Sequence, residues 1–192
     1  CRQVAALAER LHAHLNQPQT LRRIAAVNQP GNSSAKVQDC FLSFAQRLGF
    51  ESEKKGLFKE SGLALRPDYF LPIDDTGILL EVERGKTTIN NMDLLDFWKC
   101  HLCGVANHLF LLVPIALRQN PKMRPRNEFA TVSRRLRQFF EPGKATNVQA
   151  FTFLAISLNE ALQSGRPAPL FCGIGHGRVA QKYTNQNPSV LG

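Results

Sequence analysis

The stretch RPDYFLPIDDTGILLEVERGKTT, residues 66–88, decides the fold of this chain. It contains two apolar runs, one ending at Ile73 and the other beginning at Ile78. Between them stands Asp-Asp-Thr-Gly, residues 74–77, whose side chains favour tight turns. Two apolar runs separated by such a turn predict a β-hairpin.

The register of this hairpin is expected to bring three carboxylates together. If Asp74 pairs with Gly77, Asp68 lies opposite Glu83, and Glu81 is two residues away on the same strand as Glu83. Side chains alternate between the two faces of a strand, so these carboxylates share one face. Clustered carboxylates repel each other unless a cation compensates, and their oxygens suit a hard divalent ion such as Mg²⁺. The alternative is a charged hairpin face that simply points to solvent.

Three short motifs, Pro67-Asp68, Glu81-Val82-Glu83 and Gly85-Lys86, resemble the core of the PD-(D/E)XK nuclease superfamily, which includes many restriction endonucleases and DNA-repair nucleases. In that pattern an Asp ends one strand, and an acidic residue, any residue and a lysine follow on the next. Here Glu83 stands at the lysine position, as in a minority of restriction endonucleases. Other members carry the lysine elsewhere, and Lys86 is the candidate for such a migrated lysine. The resemblance implies an α/β, restriction endonuclease-like three-layer core, in which helices flank a central mixed β-sheet.

The same resemblance implies a metal-dependent DNA endonuclease that hydrolyses phosphodiester bonds, either of restriction type or in defence or repair. Asp68, Glu81 and the carbonyl of Val82 would hold Mg²⁺, with Mn²⁺ as a substitute ion. Glu83 would position or deprotonate the attacking water, and Lys86 would stabilise the pentacovalent phosphate. Some members of the superfamily lose cleavage, so a catalytically inactive nucleic-acid-binding module with the same fold is the alternative.

A helix is expected before the hairpin, over residues 35–48. Ser33 or Ser34 can cap its first turn, and Gly49 is a signal for its end. Apolar residues recur within it at three- and four-residue spacings, which gives one face that can cover a sheet. Gln38 lies in its first turns, where related nucleases often place an amide or acidic residue near the metal, and it is the auxiliary candidate.

A second helix and a buried strand are expected after the hairpin. Thr87 or Thr88 can cap a helix that runs through residues 92–102 and that Gly104 ends. The unbroken apolar run HLFLLVP, residues 108–114, predicts a strand covered on both faces. Because a crossover helix joins parallel strands, this order predicts a mixed sheet with helices on both of its faces.

The remainder of the chain is expected to complete one α/β domain over residues 31–192, with residues 1–30 as an N-terminal helical appendage. Residues 127–140 predict a further helix and residues 148–156 a further strand. The tail from Ser164 has no clear periodicity and predicts a loop or extended chain.

The net charge of +9 and the pI of about 9.7 are consistent with binding to DNA, which we expect to be double-stranded. The nucleic-acid-binding candidates are Arg66, Arg84, Arg134, Arg135 and Arg137. The last three can equally be the solvated side of a helix. A homodimer is also expected, because twofold-symmetric enzymes cut both strands of a duplex.

Five cysteines without framework spacing, together with the lack of a signal peptide or a membrane-spanning apolar stretch, predict a cytoplasmic protein without disulfides. Cys100 and Cys103 with His108 form a rival zinc constellation. The alternative is that both cysteines are small buried apolar residues. Because Cys1 replaces an initiating Met, the chain is also expected to be part of a larger multidomain protein.

Overall fold

The computed structural model describes residues 2–29, 31–52, 65–85, 87–117 and 124–141, and the backbone of residues 150–156 and 170–174. The described helices are α1 (Arg2–Leu15), α2 (Pro18–Val27), α3 (Ser34–Asp39), α4 (Leu42–Arg47), α5 (Met92–Leu102) and α6 (Glu128–Arg137), with a short 3-10 helix Gln138–Phe140 after α6. The strands are β1 (Glu51–Ser52), β2 (Tyr69–Ile73), β3 (Thr76–Val82), β4 (His108–Pro114), β5 (Ala116–Leu117), β6 (Arg126–Asn127), β7 (Ala150–Ile156) and β8 (Leu170–Ile174).

Six strands form the main sheet in the order β1-β2-β3-β4-β7-β8. The central strands β3, β4 and β7 are parallel, whereas β1, β2 and β8 pair with their neighbours in antiparallel fashion. The predicted α/β class and mixed sheet are therefore confirmed, including the parallel pairing of β3 with β4 across the helix α5. The strand β8 lies in the tail, where the sequence shows no periodicity that would predict it.

Helices cover both faces of the sheet. On one face, α1 to α4 pack in a hydrophobic cluster that joins Leu11 of α1 to Leu80 of β3. On the other face, α5 and α6 contribute Phe97 and Val132 to a second cluster, which includes Leu79 of β3. Because side chains alternate along β3, Glu81 follows Leu79 on the face that α5 covers.

The hairpin forms as predicted, but the predicted register was wrong by two residues. Ile73 pairs with Thr76, so Asp74 and Asp75 form a two-residue loop, and Asp74 takes the left-handed conformation that such a loop favours. A shift of two residues keeps every side chain on its face. Continued beyond the strand, the observed register aligns Asp68 with Glu81 instead of Glu83.

The helix boundaries differ from those predicted in two places. The segment predicted as one helix over residues 35–48 is two short helices, α3 and α4, interrupted at Cys40 and Phe41. Gly49 follows with a φ of 98°, which supports its predicted role as a helix-ending residue. Helix α5 begins only at Met92, after Asn91 in a left-handed conformation, so Thr87 and Thr88 precede the helix instead of capping it.

The N-terminal helices share a core with the sheet. Val4 and Leu7 of α1 and Ile24 of α2 belong to the same hydrophobic cluster as strands β2 to β4. The predicted helical character of residues 1–30 is therefore present, and a domain boundary after them stays a prediction. None of the helices within the described ranges is long and apolar enough to cross a membrane.

Candidate active site

Asp68, just before β2, is joined to the end of β3 by two hydrogen bonds, one with Glu81 and one with Val82. The backbone N–H of Asp68 donates to Glu81 Oε2 at 3.1 Å. The backbone N–H of Val82 donates to Asp68 Oδ2 at 2.8 Å. Glu81 is 3% exposed, and Asp68 is half-buried. The two carboxylates that resemble the nuclease motif are therefore neighbours in the fold.

A lysine from α5 completes this pair. Lys99 Nζ lies 3.1 Å from Glu81 Oε1 and 2.8 Å from Asp96 Oδ1, and both carboxylates are buried. The sequence places Lys99 on the helix after the motif, but its contact with Glu81 depends on how α5 crosses the sheet. One local signal was present, because Asp96 and Lys99 are three residues apart and face the same side of a helix. Neither residue was among the predicted site residues.

The side chains around Glu81 carry more negative than positive charge. Burial raises the pKa of Glu81 well above its usual value, and the charge of Asp96 adds to this effect. Burial, followed by the charge of Asp96, raises the pKa of Glu83 to about 8. Burial also raises the pKa of Asp96 to about 6, although Lys99 opposes this shift. Among these carboxylates, Glu81 and Asp96 are in direct contact with the amine of Lys99.

Lys99 itself is held in its charged form. Burial lowers the pKa of its amine, but the negative charges of Glu81 and Asp96 outweigh burial, so the net shift is upward. A lysine that stays protonated between two buried carboxylates is a fixed positive charge.

The chemistry of this cluster suits a divalent metal such as Mg²⁺. All of its donors are carboxylate oxygens, and Asp96 Oδ2 is buried with no hydrogen-bond partner among the described residues. Within these residues, however, no three His, Cys, Asp or Glu side chains form a group that could hold a metal ion. Asp68 and Glu81 instead turn oxygens toward backbone amides. The donor set fits the ion, and the side chains are not arranged around a common point.

The other predicted members of the site are Glu83, Gln38 and Lys86, and none of them shares the hydrogen bonds described for Asp68 and Glu81. Glu83 is half-buried just beyond β3, and its backbone N–H donates to the carbonyl of Leu112 at 2.8 Å. It borders a groove between α2, α3 and the ends of β3 and β4. Gln38 is half-buried on α3, and no hydrogen bond in the described part of the chain joins its side chain to Glu81 or Glu83. Lys86 lies outside the described residues.

The five candidate arginines divide into two groups. Arg84 donates from its guanidinium to Asn28 Oδ1 and to the carbonyls of Gln29 and Asn32, so it anchors the end of α2. Arg135 is likewise directed inward, toward the N-terminal end of α5. The remaining three, Arg66, Arg134 and Arg137, are exposed. A role in DNA contact stays a prediction for these exposed arginines.

The cysteines and His108 of the rival zinc constellation lie in the protein core. Cys100 and Cys103 are buried in the hydrophobic cluster beneath α5, and His108 is the buried first residue of β4. Burial strongly raises the pKa of the Cys100 thiol, which opposes the thiolate form that zinc requires. Both cysteines therefore act as small apolar residues.

Comparison of the chain with protein-family models, with curated proteins and with solved structures finds no match.

Proposed function

We propose that this protein is a metal-dependent phosphodiesterase that cleaves DNA, with a restriction endonuclease-like core and a variant PD-(D/E)XK site. The observation that carries the proposal is the contact of Lys99 Nζ with Glu81 Oε1, next to the bonds that link Glu81 to Asp68. The motif has Glu83 where its lysine would stand, and α5 provides a lysine beside Glu81. Lys99 therefore replaces Lys86 as the favoured candidate for the migrated lysine.

The residues of the site have distinct roles in this proposal. Asp68, Glu81 and the Val82 carbonyl would hold Mg²⁺, which when bound lowers the pKa of water and offsets charge on the phosphate. Glu83, which follows Glu81 and Val82 at the end of β3, would position the attacking water or take its proton. The Lys99 ammonium would stabilise the extra negative charge that forms on the phosphoryl oxygens.

DNA is the favoured substrate because of charge. The chain has a net charge of +9, whereas the cluster around Glu81 is acidic. Cations distributed over the surface attract the phosphate backbone, and the carboxylates concentrate metal at one point. Arg66 is exposed two residues before Asp68, so it lies beside the site along the chain.

Plasmid cleavage tests the proposal directly. Supercoiled plasmid is incubated with wild type, Asp68→Ala, Glu81→Ala and Lys99→Met, each with Mg²⁺ and with a chelator. Wild type is expected to cleave with Mg²⁺ and not with the chelator, and each of these three variants is expected to lose at least a hundredfold in rate. Asp75→Ala, an exposed carboxylate in the turn of the same hairpin, is the matched control and should retain full activity. Equal cleavage by all five proteins would contradict the proposal.

The second candidate is a nucleic-acid-binding module that keeps the fold and lacks cleavage. The observation in its favour is that Lys99 already neutralises part of the charge on Glu81 without a metal. Titration calorimetry with Mg²⁺ separates the two functions. A nuclease is expected to bind Mg²⁺, and Glu81→Gln should abolish that binding. A module without cleavage is expected to show no Mg²⁺ binding at Glu81 and to bind DNA equally well with Mg²⁺ or with chelator.

A further inference from the structure

The connection between β3 and α5 is held in place by helix α6. Glu128, the first residue of α6, is 1% exposed. Its Oε1 atom accepts two hydrogen bonds from Thr88, one from the backbone N–H and one from the hydroxyl, both at 2.9 Å. A buried carboxylate that accepts two such bonds fixes both the position and the direction of the residue that donates them.

Arg135, two turns further along α6, holds the same connection from its other side. It donates to the carbonyl of Thr88 at 3.0 Å and to Asn91 Oδ1 at 2.6 Å. Its Nε lies 3.4 Å from Asp93 Oδ2, in the first turn of α5. The N–H and the carbonyl of Thr88 are thus both bound by α6, and Asn91 is held where its left-handed backbone starts α5.

We propose that Glu128 and Arg135 are positioning residues for the active site, an inference that rests on the proposed function. Their bonds fix the start of α5, and Asp96 and Lys99 follow on the same rigid helix. Lys99 must place its amine within hydrogen-bond distance of Glu81, so a shift at the start of α5 is carried to the reacting groups. Misplacement by about 1 Å can cost a hundredfold in rate.

Arg135 is also one of the predicted DNA contacts, which stays a prediction, and the contacts of its side chain support the positioning role. Its side chain is 24% exposed; it donates to two acceptors on the connection and forms an ion pair with Asp93 on α5. Arg10 of α1 is exposed and is the matched control for general loss of positive charge. Removal of Arg135 should therefore impair turnover, whereas removal of Arg10 should leave turnover unchanged.

The test compares Glu128→Ala with Glu128→Gln, because glutamine keeps the acceptor oxygen for Thr88. Glu128→Ala is expected to lower kcat about tenfold with KM for DNA changed less than about twofold, and Glu128→Gln is expected to restore most of kcat. Thr88→Val, which removes only the hydroxyl donor, should give a smaller decrease in kcat and keeps the test valid if Glu128→Ala does not fold. An equal decrease in kcat in both Glu128 variants, or a change in KM with kcat unchanged, would overturn the inference.

A second readout does not depend on cleavage. Trp98 is the only tryptophan of the chain and lies on α5 beside Lys99, 47% exposed. Acrylamide quenching of its fluorescence, measured without DNA or metal, is expected to increase in Glu128→Ala and to stay at the wild-type level in Glu128→Gln. Unchanged quenching in Glu128→Ala would overturn the positioning role. If the three proteins show this quenching pattern but wild type cuts no DNA, the positioning of α5 by Glu128 stands and the proposed function is refuted.

Discussion

Replacing Lys99 with Met is expected to destabilise the fold and to abolish cleavage for the same physical reason. The substitution keeps most of the aliphatic stem and removes the ammonium that contacts Glu81 and Asp96. Those two carboxylates are 4% and 0% exposed, so water cannot replace the lost charge. The variant leaves buried negative charge without its close cation.

The size of the effect follows from that burial. Removing one partner of a buried ion pair costs about 3 to 5 kcal/mol, because the other partner stays buried and uncompensated. The lower end applies here, since Lys99 is 24% exposed and the carboxylates can take up protons instead. We therefore expect the free energy of unfolding to fall by about 3 kcal/mol at pH 8. At pH 5, where Asp96 with its pKa of about 6 is mostly protonated, the loss should be below about 1 kcal/mol.

Urea unfolding at pH 8 and pH 5 in a chelator measures both values. The matched control is Lys36→Met, which removes an exposed amine from α3 and should change stability by less than about 0.5 kcal/mol at either pH. A loss in Lys99→Met that equals the control at pH 8 would refute the buried ion pair. A loss that is the same at both pH values would refute the link to carboxylate protonation.

Two further predictions concern Glu83 and the hairpin. Because the folded-state pKa of Glu83 is raised to about 8, its protonated form favours folding below pH 4.5, and this stability is lost as pH rises toward 8. Glu83→Gln should therefore stabilise the metal-free protein by about 2 kcal/mol at pH 8 and change little at pH 4, as measured by urea unfolding; an effect independent of pH would contradict the shift. A Cβ at Gly77 would lie 2.4 Å from Phe70 Cε2 and 2.9 Å from the carbonyl of Leu71. Thermal unfolding should thus show a loss of about 1 to 3 kcal/mol for Gly77→Ala and little change for Gly104→Ala, which has open space; equal melting temperatures would refute the observed register.

Much of the fold could be predicted because its signals are local. The strand β4 coincides with the unbroken apolar run HLFLLVP, and all seven of its residues are buried. The helix α6 begins after Asn127, whose side chain accepts a hydrogen bond from the Ala130 N–H. The strand β8 could not be predicted in this way, because its pairing with β7 supplies a partner that the sequence of the tail does not reveal.

The candidate site was predicted only where its residues are joined by the hairpin. Asp68 and Glu81 belong to adjacent strands of one motif, so even a register error of two residues kept them on the same face. Lys99 reaches Glu81 from a different element, and its contact depends on the rotation of α5 about its own axis. That rotation is decided by packing and charge across the whole domain, so residue spacing alone could not identify Lys99.

The rotation of α5 itself supports a functional role for the cluster. An amphipathic helix normally buries its apolar residues, yet α5 exposes Leu95, Trp98 and Leu102 and buries Asp93 and Asp96. The arrangement exposes apolar surface to water and removes two carboxylates from it, and both effects oppose folding. Proteins retain such violations of the usual pattern mainly at functional sites. The helix is turned so that Lys99 and Asp96 meet Glu81, which is the orientation that the proposed chemistry requires.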